Sequence, residues 1–127
     1  MTHTDIHLLL TGDELMSGDT VDSNSSMIAQ SLSAYGHSVV EKTTLGDDRT
    51  RLIRALSHAA GVARILIMNG GLGPTQDDLT AELVAAAAGT ELVLHPEADR
   101  HVREWCAARS IEPNEANLCL LYTSDAA

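Results

Sequence analysis

The chain is poor in aromatic and in basic side chains. It has no Phe, one Trp and two Tyr among 127 residues, so its interior must be built from Leu, Ile, Val, Ala and Met. Eight Lys and Arg stand against 18 Asp and Glu, a formal net charge of −10. That balance argues against nucleic acid, whose binding needs a basic face, and against an anionic membrane surface. Two cysteines, Cys106 and Cys119, do not suggest a disulfide framework in a domain of this length. No basic segment followed by an apolar run opens the chain, so no signal peptide is expected. No apolar run approaches membrane-spanning length. The expected compartment is the cytoplasm.

What is present is organised around Ile65-Leu66-Ile67-Met68-Asn69-Gly70-Gly71-Leu72-Gly73-Pro74-Thr75-Gln76-Asp77-Asp78-Leu79-Thr80. The opening apolar run suits a strand buried on both faces. Glycines 70, 71 and 73 then form a turn in which backbone N–H groups can approach a ligand without side chains in the way. Thr75 and Asp78 have the spacing of a capping box at a helix start. A helix N-terminus presents free donors and a positive dipole end, so strand, glycine turn and helix start together suit an anion. Asp77 and Asp78 alone would repel a phosphate. With a divalent cation between them and the phosphate they would help to hold it. The stretch reads as a metal-assisted phosphate or pyrophosphate site, with Asp77 and Asp78 as metal ligands and catalytic groups. The bland reading is a tight turn whose acidic residues only favour the helix dipole, and a lone glycine turn would deserve it. This combination favours function. It is not a Walker A loop, because no Gly-Lys-Ser/Thr follows, and Gln76 replaces the third glycine of a dinucleotide fingerprint.

Elsewhere the pattern alternates strand and helix. Residues 6–10 read as a buried strand ending in the turn Thr11-Gly12-Asp13-Glu14, and residues 15–19 read as loop. Asp22 or Ser23 can cap a helix with Ile28, Leu32 and Tyr35 on one face and Met27 adjacent, stopped by Gly36. Residues 38–44 read as a second strand. Asp47 and Asp48 then open a helix with Leu52, Ile53, Leu56 and Ala60 as its apolar stripe and Gly61 as its end. Residues 64–68 form the third strand. A helix with Leu79, Leu83, Val84 and Ala87 ends at Gly89, and residues 91–94 suit a short strand. Pro96 opens a helix running to about Arg109. This order predicts an α/β fold of three layers, αβα, around a mostly parallel sheet with right-handed crossovers. Ligands of such sheets bind beyond the carboxyl ends of the strands. The turns at Gly12 and Gly70 share that edge.

The histidines offer no zinc site, since His3 and His7 lie on an extended segment and His95 and His101 lack partners at ligand spacing. Cys106, beside Trp105, reads as a core thiol. On spacing alone, Asp13 and Glu14 fit an exposed loop as well as metal or ribose binding, and Asp47 fits a helix cap better than a ligand.

Residues 70–80 resemble the signature Gly-Gly-Leu-Gly-Pro-Thr-x-Asp-Asp-x-Thr of the CinA N-terminal domain, within the molybdopterin-binding MoaB/Mog family. Gly12-Asp13-Glu14-Leu15, Gly18, Asp22-Ser23-Asn24 and Gly46-Asp47-Asp48 resemble further motifs of that family. One departure lies at Met68-Asn69, where the family usually carries small hydroxyl residues. The resemblance implies the MoaB/Mog fold and a site in which Gly12, Asp13, Glu14, Asp47, Gly70, Gly71, Gly73 and Thr75 bind a nucleotide or pterin phosphate. It also implies an enzyme that hydrolyses ADP-ribose to AMP and ribose 5-phosphate with Mg2+, Mn2+ or Co2+. The alternatives are molybdopterin binding or adenylylation, and a non-catalytic nucleotide-binding domain. Homo-oligomers are expected, without nucleic-acid or membrane partners. The domain is expected over residues 1–118, incomplete at its C-terminus. Residues 119–127, where composition changes abruptly and resembles a translated sequencing adapter, are expected to be a non-native tail.

Overall fold

The computed structural model describes residues 4–72, 79–114, 118 and 122–123. It falls into two compact units, Met1–Gly71 and Leu72–Ala127.

The first unit is built on β1 (Asp5–Thr11), flanked by β2 (Ser38–Leu45) and β3 (Ile65–Asn69), all parallel, in the order β2-β1-β3. The central place of β1 explains its composition, because Leu8, Leu9 and Leu10 are all buried and a strand covered on both faces has no polar side to alternate with. Ile6, Leu8 and Leu10 point to one face, where Ile28, Ala29 and Leu32 of α2 (Asn24–Ala34) pack on them with Val39 and Ile67. His7 points to the other face, where its ring meets His58 of α3 (Arg49–Val62) edge-on at 6.0 Å between centroids. The two helices therefore cover opposite faces, since successive strand side chains alternate. Register shifts between Ile6 and His7, whose partners are Val39 and Glu41, leaving Val40 as a bulge on β2.

Helix ends obey local chemistry. Asp48 caps α3 by accepting from the Arg51 N–H at 2.8 Å. Gly36, at φ 80°, closes α2, with the His37 N–H donating to the Leu32 carbonyl and the Gly36 N–H to that of Ser33. Several sequence expectations need correction. Residues 13–17 form a short helix, α1 (Asp13–Ser17), rather than loop. Helix α3 runs through Gly61 to Val62, and its buried stripe is Leu52, Leu56 and Ala59, while Ile53 is exposed. Tyr35 and Met27 are also exposed, because the helix ends at Ala34 and Met27 lies off the core-facing stripe of Ile28 and Leu32.

The second unit contains α4 (Thr80–Ala87), β4 (Val93–Leu94), α5 (Pro96–Ala107) and β5 (Tyr122–Thr123), with β4 and β5 antiparallel. As expected, Gly89 closes α4: the Thr90 N–H donates to the Ala85 carbonyl and the Gly89 N–H to that of Ala86. Pro96 opens α5, and the His95 ring accepts from the Ala98 N–H at 3.3 Å. Cys106 is buried and unpaired. Tyr122 and Thr123, inside the segment expected to be a tail, pair with Leu94 and Val93. No helix among the described residues is long and apolar enough to cross a membrane.

Candidate functional site

The strand order reverses at β1. The chain goes from β1 to β2 on one side, then crosses to β3 on the other. In parallel sheets such a switch opens a crevice at the carboxyl ends of the two diverging strands. A cleft of about 260 Å³ lies there, and it takes Thr11 from the end of β1 and Asn69 and Gly70 from the end of β3. Glu14, Thr20, Asp22, Ser23 and Asn24 add to its polar wall, and Leu15 and Val21 supply an apolar one.

Gly70 is required at its position. Its φ is 105°, and a Cβ there would overlap the Thr11 carbonyl oxygen and lie 2.8 Å from Thr11 Oγ1. Only a residue without a side chain can follow β3 so closely over the end of β1. Thr11 Oγ1 is buried there without a hydrogen-bond partner among the described residues.

Asp22 holds the start of α2. Its carboxylate accepts from the Ser25 N–H at 2.9 Å and from the Ser25 hydroxyl. Lys42 of β2 donates to the same hydroxyl at 3.0 Å. Ser25 is buried, so a lysine on the sheet is linked through it to a carboxylate in the cleft. The Ser25 hydroxyl, then the Ser25 N–H, hold the Asp22 carboxyl below the usual carboxylate value against the opposing effect of burial, and the Lys42 charge adds a lesser pull in the same direction as Ser25. Asp22 is therefore an ionised acceptor, and it, not Ser23, caps α2. Across the cleft mouth, Asn24 Nδ2 donates to Asn69 Oδ1 at 3.1 Å.

The residues expected from sequence divide into groups. Glu14 and Gly70 line the cleft. Gly12 is buried at the end of β1, and its N–H donates to the Leu45 carbonyl at 3.0 Å. Asp13 and Asp47 meet each other instead: Asp13 Oδ1 accepts from the Asp47 N–H at 2.9 Å, and Asp47 Oδ2 accepts from the Asp13 N–H at 3.3 Å. Gly71 closes the first unit at φ 64°. Gly73, Thr75, Asp77 and Asp78 lie outside the described residues. Among the described residues, no three His, Cys, Asp or Glu side chains are grouped to hold a metal ion. Sequence reasoning had not placed Thr11, Asn24 or Asn69 among the binding residues. The available signal was the departure at Met68-Asn69 from small hydroxyl residues.

A protein family described as "Probable molybdopterin binding domain" matches residues 7–116. The chain belongs to this family. Curated relatives that it matches include CinA-like proteins. The one from Colwellia psychrerythraea is 49% identical over 118 residues, 93% of this chain and 27% of the relative. The one from Syntrophotalea carbinolica is 42% identical over 112 residues, 88% of this chain and 27% of the relative. The chain thus spans about a quarter of the length of these relatives. Among solved structures, CinA of unknown function from Thermoplasma acidophilum superposes with a TM-score of 0.83 at 24% identity, over 97% of this chain and 72% of that one. The tungsten cofactor synthesizing protein MoaB from Pyrococcus furiosus gives 0.62 at 23% identity, over 68% and 54%. These likenesses show the fold: a parallel sheet with flanking helices of the MoaB and MogA type, as the sequence predicts.

Proposed function

We propose that this domain binds a phosphorylated pterin or nucleotide in the cleft between the ends of β1 and β3. The observation that carries this reading is the position of the cleft at the strand-order switch, where parallel sheets take their ligands. Family membership supports the ligand class. The volume of about 260 Å³ suits part of such a molecule, so the remainder would extend into solvent or along the glycine turn. Calorimetric titration with molybdopterin and with AMP tests it. Saturable binding of at least one is expected, and no binding of either overturns the reading.

A second reading, hydrolysis of ADP-ribose to AMP and ribose 5-phosphate, is favoured by the signature over residues 70–80. Under it, Asp77 and Asp78 would be the residues that hold a divalent ion (Mg2+, Mn2+ or Co2+), which would supply Lewis-acid stabilisation of phosphate charge. The chain's own contribution is the glycine backbone, whose N–H groups would stabilise the charge on the phosphates. Asp77→Asn and Asp78→Asn keep the shape and capping ability of the natural residues. At least one is expected to lower metal-dependent AMP release by about a hundredfold or more. Normal release by both variants at low metal concentration returns these residues to a capping role.

A further inference from the structure

We infer that Asn69 is a specificity-determining residue of the cleft: its carboxamide, oriented by Asn24, offers hydrogen-bond donors to the phosphate oxygens of a sugar phosphate or nucleoside 5′-phosphate. The inference rests on the reading of the cleft as a small-molecule site and adds which part of the ligand is recognised, and by what.

The cleft has an unusual charge balance for a site that takes a phosphate. Among the described residues, its ionisable lining residues are Glu14 and Asp22, and no Lys, Arg or His lines it. The Ser25 and Lys42 contacts described above favour the ionised form of Asp22. Carboxylates accept hydrogen bonds and donate none. They can receive sugar hydroxyls, but they repel phosphate oxygens. Among the described lining residues, a phosphate therefore finds only neutral donors.

Asn69 supplies such donors in a fixed direction. A serine or threonine here would carry one hydroxyl that rotates to donate or to accept. An asparagine carries separate donor and acceptor ends, so its selectivity depends on which end faces the ligand. Asn24 decides this. Its Nδ2 donates to Asn69 Oδ1 at 3.1 Å, which commits the oxygen of Asn69 and leaves its two N–H bonds on the opposite edge of the amide. The bridge links residues 45 apart in sequence, and both line the cleft. The amide is thereby ordered before a ligand arrives, which lowers the entropy lost on binding.

Asn69→Asp is the sharpest substitution. Its carboxylate can still accept from Asn24, so the bridge is kept while both donors are lost and a negative charge is added. Asn24→Ala keeps the donors but releases their orientation. Binding of AMP, ribose 5-phosphate and adenosine to the full chain is measured by calorimetry for the natural protein and both variants, with melting temperature as a check on folding. Asn69→Asp is expected to weaken AMP and ribose 5-phosphate by about tenfold or more, the scale of a hydrogen bond to a charged group, and to leave adenosine unchanged. Asn24→Ala is expected to cause a smaller loss, again confined to the phosphorylated probes. Undiminished AMP affinity in Asn69→Asp, or an equal loss for AMP and adenosine, overturns the role of Asn69 while the cleft reading stands. If the natural protein binds none of the three probes, the role of Asn69 fails, and the cleft reading fails with it only if molybdopterin does not bind either.

Discussion

Asp13 and Asp47 grip each other's backbone: each carboxylate accepts the N–H of the other, at 2.9 and 3.3 Å. The pair joins the start of α1 to the turn before α3. Gly46 is part of the same device, because a Cβ there would overlap Asp13 Oδ1. Both residues are exposed or half-buried, so each bond is worth little alone. Together they tie two loops at the sheet edge that carries the cleft.

The first prediction follows from that reciprocity. Asp13→Ala and Asp47→Ala should each cost about 1 kcal/mol in urea denaturation, and the double variant should cost clearly less than the sum. Gly46→Ala should resemble Asp13→Ala. Additivity of the two Asp variants within about 0.3 kcal/mol would show that the residues are not coupled.

Gly70 and Gly36 make a controlled pair. Both have positive φ, 105° and 80°, but an added Cβ meets Thr11 at Gly70 and nothing within 4 Å at Gly36. Gly36→Ala should cost about 1 kcal/mol from backbone strain. Gly70→Ala should cost roughly 1–3 kcal/mol more, because the Thr11 backbone must move. Equal losses at the two sites would mean that the close approach at Gly70 carries no energetic weight.

A third prediction concerns the histidine inside the sheet. His7 is fully buried, its Nε2 lies 3.0 Å from Thr43 Oγ1, and its Nδ1 has no hydrogen-bond partner among the described residues. Thr43→Val removes the partner of Nε2 and should cost about 1–3 kcal/mol. Adding His7→Leu to Thr43→Val removes the stranded polar group and should recover part of the loss. If the double variant is less stable than Thr43→Val, the ring contributes packing with His58 that outweighs its polarity.

Much of this architecture was legible in the sequence. The run Leu8-Leu9-Leu10 marked a strand buried on both faces, and Gly36, Gly89 and Pro96 marked helix limits by backbone chemistry that acts locally. Gly61 misled because a glycine inside a helix costs only about 1 kcal/mol, which neighbours such as buried Leu56 and Ala59 offset. Helix α1 is too short to show a period, and a contact with Asp47, distant in the chain, braces its start. In the site, the glycine turn was evident, but Glu14 and Gly70 gained their setting only when β3 was placed beside β1. The Asn24–Asn69 bridge joins two turns that no local pattern relates.

Asp22 gives a pH-dependent prediction. Its carboxyl is held below the usual value, first by the Ser25 hydroxyl. The sign follows: this stabilisation is fully present above the unfolded carboxylate value of about 3.9 and is lost as pH falls through the lower folded-state value. Ser25→Ala should raise the Asp22 pKa toward the ordinary value and flatten the acid side of the stability curve. Carboxyl-carbon NMR titration checks it, and an unmoved Asp22 pKa would exclude the Ser25 hydroxyl as the main cause.

The most direct test of the cleft as the binding site is a chemical-shift titration of the isotopically labelled chain with AMP and, separately, molybdopterin. The account predicts saturable shifts concentrated at Thr11, Asp22, Asn24, Asn69 and Gly70, the residues that line the end of β1 and β3 and the start of α2. Saturable shifts confined to residues away from that cleft, or no shifts with either ligand, would contradict it.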